Sequence, residues 1–137
     1  MKVFGQSSFE LLLTFMIGMA IITPIVLYII YVQNNYSDSY KVNAAQNVVN
    51  KLAEAADSIY LQGPGSKIVL TLYFPQGIEE TAVSDKMISI KLSIGPGITE
   101  VYQMTKEPVE GSLPTTSGTQ RIVVENVGDR VKIYKKM

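Results

Sequence analysis

From Leu11 to Ser37 the chain carries no charged residue, and Leu11 to Val32 is almost wholly apolar. A hydrocarbon layer about 30 Å thick is crossed by roughly 20 apolar residues in a helix, so this run is long enough to span it. Leu, Ile, Phe and Val occupy 13 of its positions. Together they favour the bilayer by about 4–8 kcal/mol, against about 2.5–3.5 kcal/mol for one acidic group at a helix centre. The single acid nearby, Glu10, stands at the lip of the run rather than inside it. The segment is therefore expected to enter a membrane, and the carboxylate at its mouth asks for a role.

The chain has 137 residues, and those outside the apolar run leave room for one small domain of about 100 residues. Twelve basic and twelve acidic residues balance, and no basic stripe marks a nucleic-acid partner. Cys and His are both missing from the sequence. That removes disulfides, thiolate metal sites, the commonest general base and the commonest metal ligand. No phosphate-binding glycine loop, metal-ligand cluster or nucleophile elbow is present. The expectation is a protein that is not an enzyme, with no catalytic residue, metal or cofactor.

A secretory signal peptide places a small-residue cleavage site after a short apolar stretch. Here the run is longer, no such site follows Val32, and the small residue Gly5 precedes it, in Gly5-Gln6-Ser7-Ser8-Phe9-Glu10. Gly5-Gln6, Ser8 and Glu10 ahead of a Leu-rich start resemble the class III signal peptide of archaeal type IV pilin-like proteins. The match runs through Glu10; Thr14 stands where the family usually has a final Leu, directly after Leu11, Leu12 and Leu13. The leader carries Lys2 alone where family leaders usually carry paired basic residues.

The resemblance implies cleavage by a prepilin peptidase between Gly5 and Gln6, the apolar helix staying in the mature subunit. It further implies insertion in the membrane before assembly, then packing of Leu11, Leu12, Leu13, Phe15, Ile17, Gly18, Ile21, Ile22, Pro24 and Ile25 in the core of an extracellular filament. The partners would be identical or related subunits in a helical homopolymer and the pilus assembly machinery, with no nucleic acid. Cleavage frees an amine on Gln6, cationic at neutral pH. Glu10 lies four residues on, positioned to pair with its own amine or a neighbour's, because a paired charge costs far less in an apolar setting than a lone one. The rival expectation is a monomeric membrane-anchored extracytoplasmic binding protein, with Glu10 an interfacial residue of an uncleaved anchor.

Within the run, Thr14, Gly18 and Ala20 are small enough to let helices approach closely. Pro24 predicts a kink or local opening, with Thr23 placed to satisfy a freed carbonyl. Tyr28 and Tyr31 fall where the run nears water. Gln33 to Ser37 reads as a bend or as a wet stretch of the same helix, and Asn35-Tyr36-Ser37 is an N-glycosylation sequon. Val42, Ala45, Val49, Leu52, Ala56 and Ile59 then recur at helical spacing, a stripe suited to a sheet or a short coiled coil. Gly63-Pro64-Gly65 ends the helix.

Beyond it, Lys67–Phe74, Ile78–Val83, Met87–Ile94, Ile98–Met104, Gln120–Val127 and Arg130–Lys135 read as strands, the last two as a hairpin around Gly128-Asp129. A short strand is expected at Val109–Leu113, inside a surface loop that either contacts partners or simply connects. Val69 and Tyr73, opposite Ile68, Leu70, Leu72 and Phe74, predict burial of the first strand on both faces. In the third, Ile88, Ile90, Leu92 and Ile94 point inward and Ser89, Lys91 and Ser93 outward.

The expected fold is α+β: a long N-terminal α-helix, apolar then amphipathic, packed on a small antiparallel β-sheet domain in the lollipop plan of pilins. Residues 1–5 would be the leader, 6–62 the helix with its membrane or filament-core part at 11–32, and 63–137 the β domain.

Overall fold

The computed structural model describes residues 2–137, with side chains from Gly5 onward. Met1 and the side chains of Lys2 to Phe4, in the expected leader, lie outside the described residues. The chain divides into two compact units, one up to Ser37 and one from Asp38 to Met137. The first consists of the opening stretch of a single helix, α1 (Lys2–Leu61), which continues into the second. The helix runs unbroken through Gln33 to Ser37, so that polar stretch is helix rather than a bend.

The second unit joins the rest of α1 to one seven-stranded sheet formed by the described residues. Its strands are β1 (Lys67–Phe74), β2 (Ile78–Ser84), β3 (Met87–Ile94), β4 (Gly97–Met104), β5 (Val109–Gly111), β6 (Gly118–Asn126) and β7 (Val131–Lys135). They lie in the order β1-β6-β7-β5-β2-β3-β4. All neighbours are antiparallel except β5 and β7, which pair in parallel. The fold is therefore α+β, helix on a mostly antiparallel sheet.

The amphipathic stripe supplies the helix side of the core. Ala45, Val48, Val49, Leu52, Ala53, Ala56 and Ile59 are buried in one cluster with Ile88, Ile90, Leu92, Ile122, Val124 and Ile133, while Val42 is half-buried. Ala45, Ala53 and Ala56 are small on this side of the helix, and Leu52 is the largest of its fully buried side chains. The coiled-coil alternative is thereby excluded for this stripe.

The turns follow their residues. Gly63, at φ 95°, and Gly65, at φ 87°, occupy the left-handed region and stop the helix. Gly111 is at φ 141° in β5, and a Cβ there would fall 1.8 Å from the Ile133 carbonyl oxygen, so only glycine lets β5 lie against β7. β5 also reaches β2 through Val83 and Gly111, which closes the sheet between its two halves.

Two inside–outside expectations are corrected. Val69 and Tyr73 are exposed, because β1 ends the sheet and no layer covers its outer face. Ser89 points away from the helix as expected, yet it is buried, standing in register between Ala82 and Tyr102 on its two flanking strands. The expected strand at Val109–Leu113 stops at Gly111, and the final hairpin opens at Gly118.

Candidate assembly surface

Within its own unit, the apolar part of α1 buries nothing. Leu11, Leu12, Leu13, Phe15, Ile17, Ile21, Ile22 and Ile25 are all exposed, Leu11 by 75%. At 100° per residue these side chains point all round the helix, the pattern of a segment covered by lipid or by other helices. α1 is the one helix among the described residues, and it is long and apolar enough to cross a membrane. That length and composition suggest membrane insertion.

Glu10, Thr14 and Gly18 follow each other at four-residue spacing, so they form one row along the helix. The Thr14 hydroxyl donates to the Glu10 carbonyl oxygen at 2.8 Å, which removes its cost in an apolar phase. The Glu10 side chain is exposed and makes no ion pair among the described residues. Gly5 and Gln6 are exposed in the first turns of the helix, and Asn35, the sequon residue, is exposed near the end of the first unit.

Pro24 lies inside the continuous helix and cannot donate to the Ala20 carbonyl. The Thr23 hydroxyl donates instead to the Met19 carbonyl at 2.7 Å, one residue before the freed one. Its expected role is thus corrected: it satisfies its own hydroxyl, not the gap left by Pro24.

On the sheet, the face turned away from α1 carries rows of alternating charge. Lys67, Glu125 and Lys132 are register partners, with Glu110 next to Lys132; Glu80, Lys91 and Glu100 form a second row. The Lys91 ammonium donates to Glu80 at 2.8 Å. This hydrogen bond, then the charge attraction, holds the Glu80 carboxyl below its ordinary range and raises Lys91 above its own. Arg130 is raised likewise, first by its hydrogen bond to Glu110 and then by Asp129.

A cleft of 520 Å³ lies between α1 and β1, where the Tyr40 and Tyr73 rings are 6.5 Å apart. Its walls mix amides, a lysine and aliphatic groups, with no facing carboxylates to do acid–base work. Among the described residues no three His, Cys, Asp or Glu side chains gather as metal ligands.

What sequence reading missed lies at the end of the sheet. Ile98, Tyr102 and Met104 of β4 are exposed by 69, 57 and 58%. Their alternation marked a strand, but nothing in it distinguished an end strand from a central one. No protein-family model, curated protein or solved structure matches this chain.

Proposed function

We propose that this chain is the structural subunit of an archaeal type IV-like pilus. Its apolar helix sits in the membrane before assembly and in the filament core afterwards, while the helix-on-sheet unit lies on the filament surface. The observation that carries the reading is the charge-free run, its large apolar side chains exposed, placed directly behind Glu10 and the Gly5-Gln6 junction. Assembly exchanges lipid for helix, one apolar surrounding for another, so packing, polar pairing and lipid release drive it. Glu10 then pairs with a Gln6 amine, its own or a neighbour's. Gly18 and Thr14, on the same row, let a second helix come close.

The mass of the chain in material sheared from the cell surface tests this. A polymer whose subunits begin at Gln6 is expected. Monomeric, cell-bound protein that keeps Met1 to Gly5 would overturn the proposal in favour of an uncleaved anchor displaying a single domain.

A further inference from the structure

The sheet has two open ends, β1 and β4, each eight residues long and each paired on one side only. Folded proteins usually blunt such strands with proline, a bulge or repeated charges. Neither strand has those devices. β4 pairs with β3 from Met87↔Met104 to Ile94↔Gly97 without a register shift, and β1 pairs with β6 equally regularly. β4 carries one charge, Glu100, and β1 one, Lys67. Both expose apolar side chains: Ile98, Tyr102 and Met104 on β4, Val69 and Tyr73 on β1.

Backbone direction follows from the hydrogen bonds at the strand ends. Thr105 donates to the Lys86 carbonyl on the β3 side, so by alternation Ile98, Glu100, Tyr102 and Met104 turn their amides and carbonyls outward. Gln46 reaches the outward Tyr102 carbonyl only at 3.5 Å. Ser66 accepts from Asn126 on the β6 side, which turns Lys67, Val69, Thr71 and Tyr73 outward on β1. No hydrogen bond from outside the sheet reaches those four residues' backbones among the described residues.

We infer that β4 of one copy pairs with β1 of the next, continuing the sheet from subunit to subunit; this rests on the polymer reading above. The occupant is a second copy because the two ends complement each other. The order and directions of the strands make β1 and β4 antiparallel within one sheet. A copy set beside another with the same face toward its helix therefore meets it antiparallel, and every α1 stays on one side. The full-length register places Val69 against Tyr102, an apolar pair on the outer face, and Tyr73, whose ring lies 6.5 Å from that of Tyr40, against Ile98. Thr71 falls against Glu100, and Arg121, the β6 partner of Thr71, extends the Glu80, Lys91, Glu100 row with a positive charge. Self-pairing of β4 centred on Glu100 would instead bring two carboxylates together. A heterologous contact of this kind propagates rather than closing on a dimer.

The native chain has no cysteine, so introduced pairs report without background. The test is mild oxidation of full-length Val69→Cys/Tyr102→Cys protein, in surface polymer and in detergent extract, read on non-reducing gels. Directly opposed strand residues lie about 5.5 Å apart between Cα atoms, within disulfide reach. The expected result is a ladder beyond the dimer for the double variant, a dimer for mixed single variants, and monomer for either single variant alone. Tyr102→Lys, which puts a charge on the joint, is expected to lose the polymer while its circular dichroism matches the parent. Polymer without a ladder would overturn the edge pairing and leave the pilus reading standing. A dimer of the single Tyr102→Cys variant would replace head-to-tail pairing by a symmetric one. Absence of any surface polymer from the parent chain would remove both.

Discussion

The side-chain amide of Asn126, 2% exposed, donates to the carbonyl oxygen of Ile59 at 3.3 Å. The same nitrogen donates to the Tyr60 carbonyl at 3.2 Å, and the side-chain oxygen accepts from the Gly128 amide at 2.8 Å. One residue at the end of β6 thus joins the Gln62 and Gly63 amides on the last carbonyls of α1 and fixes the β6–β7 turn. Asn126→Ala removes these three bonds: the Ile59 and Tyr60 carbonyls keep the amides of Gln62 and Gly63, while the Gly128 amide loses its acceptor. The expected loss is about 1–3 kcal/mol. Asn126→Asp is expected to cost more at neutral pH, since it sets a carboxylate against two carbonyls. Urea denaturation of the full chain in detergent, followed by near-ultraviolet dichroism of its tyrosines, measures both.

Leu52 is fully buried in the cluster that also holds Ile90 and Leu92. Leu52→Ala removes apolar surface and leaves a cavity that the rigid sheet fills only in part. A loss of about 2–5 kcal/mol is expected. In the same denaturation assay, a change below about 0.5 kcal/mol would be a surface result and would contradict the burial.

Gly111 is bounded by the Ile133 backbone, and its φ lies where side chains are strained. Gly111→Ala is expected to cost at least about 2–3 kcal/mol by forcing β5 away from β7. Gly97→Ala serves as the control: its nearest neighbour is 3.9 Å from the new Cβ, and its φ lies outside the strained region. Equal losses for the two variants would contradict the close approach.

Glu80 and Lys91 form an exposed pair, so its effect on stability is small and weakens with salt. The signs are definite. Glu80 binds its proton less readily in the folded chain, so its contribution is present above the ordinary carboxylate range and is lost as pH falls through the folded value. Lys91 binds its proton more readily when folded, so its share is present below the ordinary ammonium range and is lost as pH rises through the folded value. Carboxyl carbon NMR should show Glu80 titrating below the usual range, and Lys91→Met should return it there. An unchanged titration in Lys91→Met would remove the pair as the cause.

Glu10→Gln keeps the shape and removes the charge. Under the pilus proposal, membrane insertion is expected to survive while surface polymer falls to a small fraction of the parent yield. Carbonate extraction of membranes reads the first and shearing of cells the second. Normal polymer yield in this variant would deprive Glu10 of its pairing role.

What the sequence determined by itself is local. The length and neutrality of Leu11 to Val32 set its solvent, since no small domain can bury an apolar helix on every side. The stripe from Val42 to Ile59 and the alternation in Met87–Ile94 set which faces turn inward, because helix and strand periods are properties of the backbone alone. Gly63 and Gly65 ended the helix for the same reason. The tertiary structure decided what depends on partners distant in the chain. β5 lies beside β7 because Gly111 permits an approach that its neighbours in sequence do not reveal. Val69 and Tyr73 are exposed because β1 falls at the end of the sheet, and a strand's alternation is identical at an end and in the middle. Asn126 caps a helix that finished more than sixty residues earlier, and the helix divides between two units at Ser37 because packing, not helicity, ends there.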